Sequence, residues 1–400
     1  MPRFEPFRGL RYAPSIDLDS VAAPPYDVIG PEERAALAAR SAYNSVLVEL
    51  PADEPDRDRF AQAAHLMAAW KDEGILQAEP VPAFYICRMT FDDEAGRRRS
   101  TTGVIGALEL ATPGEGDVLP HERTMPKPKS ERLDLQRATR ANLSPVWGLS
   151  MADGLSQLIE PAPDSARGSC RDDEGVVHEL WLLTDPAAVD AVRRAVASAP
   201  VVLADGHHRY ETGLAYREER RAETGGAPGD YDLIMAYVVE LTDTQLSVRA
   251  IHRLISGLPD GLDLPSAFGA HFEVSEAGPV DPSFLVKMEK AGSLGLVTPT
   301  GSWLMRPRPE TEAGAEHDLD SARLDVALAS LPHPEVTYQH GVEHVTAAVD
   351  KGEAQAAVLL RPATVETIAS VARRRLRMPP KTTFFYPKPR TGLVFRPVTD

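Results

Sequence analysis

The stretch Ala204–Thr212, ADGHHRYET, decides how the rest of the chain is read. The apolar run Pro200-Val201-Val202-Leu203-Ala204 leads into it and predicts a short buried strand. A charged, helix-patterned stretch follows and runs to about Ala222. A strand that turns through a glycine into a helix aims backbone N–H groups and the positive end of the helix dipole at one spot, an arrangement that binds phosphate. Gly206, His207 and Arg209 are therefore candidate phosphate-binding residues, since a guanidinium suits phosphate oxygens. Asp205, at the strand end, is placed to hold a metal ion or take a proton, and His208 joins it as a catalytic candidate in the first helical turn. The competing reading is structural: Asp205 caps the helix, and the histidines pack inside or face water.

Working outward, Pro31-Glu32-Glu33-Arg34 marks a helix start, with proline first and acids in the first turn. Phe60, Ala63, Met67 and Trp70 at helical spacing predict a helix from about Asp56 to Trp70. Ala83–Met89 and Gly103–Leu108 read as strands joined by a charged loop, Asp92–Arg99. Adjacent strands of this kind point to an α+β fold with a mixed-sheet core. In the last hundred residues helix and strand alternate: a helix marked by Val342, Val345 and Val349, a strand Ala354–Leu360, a helix Val365–Leu376 and a closing strand Gly392–Val398. That portion reads as α/β. The break Ser256-Gly257-Leu258-Pro259-Asp260-Gly261 sets the expected division into 1–260 and 261–400.

Composition narrows the function classes. The 400 residues carry 43 Lys and Arg against 59 Asp and Glu, a net charge of −16, which a nucleic-acid backbone repels. With two cysteines, Cys87 and Cys170, neither a disulfide scaffold nor a four-cysteine zinc site is possible. There is no run of the ~18 apolar residues a membrane span needs. The N-terminal MPRFEPFRGLRY lacks a signal peptide's apolar core, so a cytoplasmic location with neither nucleic-acid nor membrane partners is expected.

Two further segments carry candidate chemistry. Val118–Ser144 is the most basic part of an acidic chain, with Arg123, Lys127, Lys129, Arg132, Arg137 and Arg140, and suits an anionic substrate. Glu122, beside His121 at its start, is a candidate general base; a solvated loop leading into an amphipathic helix is the equal alternative. Met378–Phe395 interleaves Lys381, Lys388 and Arg390 with aromatics, but no GxxxxG precedes its Lys-Thr-Thr, so it is not a P-loop. His340-Gly341-Val342-Glu343-His344 has the H-x-x-E-H spacing of inverted zinc peptidases. That chemistry needs both histidines on one helix face. Here the helix is expected to begin at Gly341 and leave His340 outside, so no metal ligand is assigned.

At ADGHHRYET the chain resembles the prokaryotic domain-of-unknown-function 1015 family. Ala23-Pro24-Pro25-Tyr26-Asp27-Val28-Ile29 looks like its N-terminal signature and Pro82–Arg88 like its next strand. His121-Glu122-x-Thr124 with Asn142-Leu143-Ser144-Pro145 looks like its central block. Leu324-Asp325-Val326, Met378-Pro379-x-Lys381-Thr382-Thr383 and Thr391-Gly392-Leu393-Val394 look like its C-terminal blocks. The D-G-x-H-R core is also similar, more distantly, to the nucleotide-binding motif of the ParB/sulfiredoxin-like fold, which includes free-serine kinases, chromosome-partitioning CTPases and sulfiredoxins. That resemblance implies a phosphate cradle at Gly206–Arg209, a catalytic or magnesium-linked acid at Asp205 and a glutamate base at Glu122. His207 stands where sulfiredoxins carry their reactive cysteine, and no basic helix-turn-helix is present.

The expectation is a small-molecule phosphotransferase, most closely a free-serine kinase, using Mg²⁺ with ATP or ADP. Arg132, Asn142 and Lys381 would hold the substrate, L-serine being the leading acceptor. The alternative is a nucleotide-binding regulatory protein that does no chemistry.

Overall fold

The computed structural model describes residues 1–53, 57–93, 96–112, 114–120, 130–161 and 166–399. They form two compact units, Met1–Ser247 with Pro387–Asp400, and Val248–Tyr386. The division therefore lies before the break at 256–261, and the chain's last residues return to the first unit. The physical reason is a shared core. Ala250, Ile255, Leu258, Leu264 and Phe268, on both sides of that break, belong to one buried cluster.

The first unit is built on a nine-stranded mixed sheet. In chain order its strands are β1 (Phe4–Glu5), β2 (Phe84–Asp92), β3 (Arg98–Glu109), β4 (Val118–Pro120), β5 (Val146–Ser150), β6 (Gly168–Arg171), β7 (Val177–Leu183), β8 (Val201–Asp205) and β9 (Leu233–Glu240). Across the sheet they run β4-β8-β5-β9-β3-β2-β7-β6, with β1 on β3. The β2–β3 hairpin sets Asp92 opposite Arg98. Pairing is parallel between β4 and β8 and between β5 and β9, and antiparallel elsewhere. β9 is central, and all eight of its residues are buried, as expected of a strand covered on both faces.

Four helices matter for the site: α1 (Arg59–Asp72), α2 (Ser130–Thr139), α3 (Pro186–Ala197) and α4 (His207–Glu223). Asp58 caps α1 through the N–H groups of Phe60 and Ala61, and Asp185 caps α3 through that of Ala188. Val192, Val196 and Tyr210 from α3 and α4 pack with Phe84, Val201 and Ile234 of the sheet in one core. Met67 and Trp70 of α1 pack with Leu10, Tyr12, Leu135 and Phe395 in a second. Burial of side chains this size stabilises by about 1.5–3 kcal/mol each.

The second unit holds a seven-stranded sheet: β10 (Ser247–Ser256), β11 (Phe272–Glu276), β12 (Leu294–Thr298), β13 (Gly301–Pro307), β14 (Glu335–His340), β15 (Ala356–Leu359) and β16 (Thr383–Tyr386). Their order is β11-β13-β12-β15-β10-β14, with β16 also on β10. His340 ends β14, and the next helix, Val342–Asp350, contains His344. His340 stacks on Phe384 at 4.6 Å. The expected closing strand reduces to Arg396–Pro397, with Phe395 before it pairing Leu10 as an isolated antiparallel bridge. Among the described residues no helix is long and apolar enough to cross a membrane.

Candidate functional site

The decisive stretch folds as its sequence predicts. β8 ends at Asp205, Gly206 turns the chain with φ +82°, and α4 begins at His207. The β8–β5 register shifts between Leu203 and Asp205, a bulge that re-aims the strand end. No side chain caps the first turn of α4. Gly206 is required twice over. Its φ lies where side chains strain the backbone, and an added Cβ would meet Arg209 Nε at 3.0 Å and the Val146 Cα at 3.1 Å.

Asp205 does not cap the helix. Its Oδ2 accepts from Arg209 Nη2 at 2.7 Å, and its Oδ1 accepts from Lys388 Nζ at 2.8 Å. Lys388 also donates to Asp27 Oδ2 at 3.0 Å. Arg209 is fixed further by Ser144 Oγ at 3.3 Å and by the Pro145 carbonyl. Four segments far apart in sequence thus meet: Tyr26-Asp27, Ser144-Pro145, Asp205–Arg209 and Lys388.

The charges follow from this packing. Burial acts to raise the Asp205 pKa, but Lys388 and then Arg209 outweigh it and hold the carboxyl well below the usual carboxylate range. Burial likewise disfavours the Lys388 ammonium, yet Asp205 and Asp27 raise its pKa above the ordinary lysine value. The Tyr26 hydroxyl is pushed up by burial, against the opposing pull of Arg209 and Arg132. The cluster therefore pairs two carboxylates, Asp27 and Asp205, with two cations, Lys388 and Arg209.

Arg132 stands in the adjoining layer. Its guanidinium lies 3.8 Å from the centre of the Tyr26 ring and donates to Glu49 Oε1 at 2.6 Å and to the Glu49 carbonyl at 2.7 Å. Glu49 is fully buried, and its Oε1 also accepts from Ser144 Oγ at 3.0 Å. Arg132, Asn142, Ser144 and Arg209 line a cavity of about 40 Å³, room for two or three waters. Asn142 Oδ1 already accepts from the Met235 N–H at 3.0 Å and from the buried Arg396 at 3.1 Å.

The structure thus brings Asp205, Gly206, His207, His208, Arg209, Arg132 and Asn142 into one region of the first unit. His208 Nδ1 lies 3.9 Å from Glu211 Oε2, on the turn following the cluster. Lys381 belongs to the second unit, where it has φ +58° and its carbonyl accepts from Arg253 at 2.9 Å. Glu122 and His121 lie outside the described residues; the strand before them, β4, is paired with Val201–Leu203 of β8. Among the described residues no group of three or more His, Cys, Asp or Glu is placed to hold a metal ion. Asp27, Glu49 and Lys388 were not in the candidate set. Asp27 sits in the quoted Ala23–Ile29 motif and Lys388 in the aromatic-interleaved segment, so both carried a signal; a lone Glu49 in Ser-Val-Leu-Val-Glu-Leu carries none.

Comparison with known structures gives loose likenesses, those named here with TM-scores below 0.5. A conserved hypothetical protein from Pyrococcus furiosus aligns at 16% identity and TM-score 0.34, covering 67% of this chain and 87% of that one. A free serine kinase in complex with AMP aligns at 14% and 0.35, covering 67% and 83%. SbnI with a C-terminal truncation, from Staphylococcus aureus, aligns at 10% and 0.39, covering 72% and 85%. No curated protein matches the sequence. The family described as "Protein of unknown function (DUF1015)" matches residues 4–327, most of the 400, and the chain belongs to that family.

Proposed function

We propose that this chain is a nucleotide-dependent phosphotransferase acting on the hydroxyl of a small molecule, with ATP or ADP as donor and L-serine as the leading acceptor. The observation that carries the reading is the junction itself: a helix of 17 residues opening behind a left-handed glycine, with Arg209 and Lys388 paired at its start. Backbone N–H groups, helix dipole and two cations there converge on one place, which is what a terminal phosphate requires. The D-G-x-H-R resemblance supports the nucleotide as its source.

In the reaction the acceptor oxygen forms a bond to the transferred phosphorus as the bond to the nucleotide's bridging oxygen breaks. The hydroxyl proton goes to a base, for which Glu122 is the candidate. Asp205, with both oxygens committed to cations, is better suited to orienting Arg209 and Lys388 than to taking that proton. Catalysis of this kind is mainly positioning and charge neutralisation. Asp27, a hard-oxygen ligand of the sort that shares Mg²⁺ with substrate phosphates, would hold the metal that neutralises the phosphoryl charge, while both oxygens of Asp205 stay with Arg209 and Lys388. The full pairing of Asp205 also favours the second reading, nucleotide binding without chemistry.

Phosphorus NMR with Mg²⁺, ATP or ADP, and L-serine separates the two. A new phosphomonoester signal, lost in Glu122→Gln, supports transfer. Nucleotide that binds but stays intact supports the regulatory reading, and absence of any binding removes both.

A further inference from the structure

We infer that Lys388 is a further phosphate-contacting residue, parked on Asp27 and Asp205 in the free protein and transferred to the bound phosphate. The inference rests on the proposed phosphate site. Its starting point is the charge count of the cluster. Among the described residues, the two carboxylates of Asp27 and Asp205 face the two cations Lys388 and Arg209, and each cation is held by a carboxylate. Both cations are thus already held by carboxylates, and an arriving phosphate gains a full ion pair only by drawing one of them away.

The two cations differ in their freedom to do so. Arg209 is pinned by Asp205, Ser144 and Pro145, and its guanidinium packs against Gly206. Moving it would break its hydrogen bonds to Asp205, Ser144 and Pro145 at once. Lys388 holds its carboxylates only through the end of a flexible four-carbon stem. Its backbone is the reverse: Pro387 and Pro389 flank it and fix the chain on either side. A stiff base with a swinging head lets the ammonium change partners without moving the strand ends. Asp27 is then the counter-ion that holds the lysine off the phosphate position and sets how tightly an anion must bind to claim it.

The test is calorimetric titration of ADP, in EDTA so that no metal intervenes, into the full chain and into Lys388→Gln and Asp27→Asn. Lys388→Gln is expected to weaken ADP by about tenfold or more. Asp27→Asn, which removes a competitor for the ammonium, is expected to tighten it several-fold. Should Lys388→Gln prove unstable, Asp27→Asn alone decides, because loss of a merely structural ion pair does not strengthen binding. Wild-type affinity in Lys388→Gln, or weaker binding in Asp27→Asn, overturns the inference while leaving the phosphate site intact. Failure of the unsubstituted chain to bind ADP removes the site and the inference together.

Discussion

Replacing Gly206 by alanine tests the strand–glycine–helix junction on which everything else depends. Two costs arise. A left-handed residue with a Cβ is strained by about 1–2 kcal/mol. The new methyl would also stand 3.0 Å from Arg209 Nε, 3.1 Å from its Cζ and 3.1 Å from the Val146 Cα. Val146 is backbone within β5, and Arg209 is tied to Asp205, Ser144 and Pro145, so neither can yield freely. Overpacking of this kind costs about 1–3 kcal/mol. Together the loss is about 2–5 kcal/mol, a fall of about 4–20 °C in the melting of the first unit. Differential scanning calorimetry and urea unfolding measure it. Gly206→Asn separates the contributions, since asparagine tolerates the left-handed region but still brings the Cβ. It should recover the backbone part only. Gly30→Ala, at φ −82° with nothing near the added methyl, is the control and should cost no more than about 1 kcal/mol, the part owed to its place as N-cap of the Pro31–Arg40 helix. A Gly206→Ala protein melting within about 2 °C of wild type would refute the tight-junction reasoning.

Three other outcomes follow from the same packing. Glu49→Gln should destabilise by about 3 kcal/mol in urea unfolding, because it strips the buried carboxylate charge from Arg132; an effect under about 1 kcal/mol would show that the pair is not needed. His252, buried and accepting from the Leu360 N–H, is held to about 4 by burial and then Arg253, with His340 adding to and Glu343 opposing the shift. Its folded pKa is below the unfolded value of about 6.5, so protons favour the unfolded chain as pH falls between the two. Stability should therefore drop by about 2 kcal/mol from pH 7 to pH 5, and His252→Gln, which cannot titrate, should lack that part of the slope. Cys87 and Cys170 sit on β2 and β6, either side of β7 and opposite Leu180 and His178 of it, so two strand spacings and a two-residue offset put them about 12 Å apart, beyond disulfide reach. Both should titrate as free thiols in denaturant after mild oxidation under native conditions; a missing pair would contradict the strand order.

The local parts of the fold were legible because they obey local rules. The β8–Gly206–α4 unit, the helix opening at Pro31 and the β2–β3 pair each announce themselves through apolar runs, a proline at a helix start or glycine at a turn. The H-x-x-E-H spacing is split between two elements: His340 ends β14, Gly341 turns the chain at φ +83°, and His344 lies in the helix Val342–Asp350. What the sequence could not display is pairing over distance. The basic segment around Arg132 reads as a landing place for anions, yet Arg132 is matched by Glu49 and Arg137 by Glu219. Likewise Lys388 reads only as one of three cations among the aromatics of Met378–Phe395 until Asp27 and Asp205 close on it. Charges assigned by segment were compensated by residues that folding brings from elsewhere.

The central claim is that phosphate is received at the start of α4, and a crystal structure of the protein grown with ADP tests it most directly. The account expects the terminal phosphate about 3 Å from the backbone N–H groups of the Gly206–Arg209 turn, with the Lys388 ammonium moved from Asp27 toward it. ADP density located elsewhere, with the Asp27–Lys388–Asp205 contacts unchanged, would contradict it.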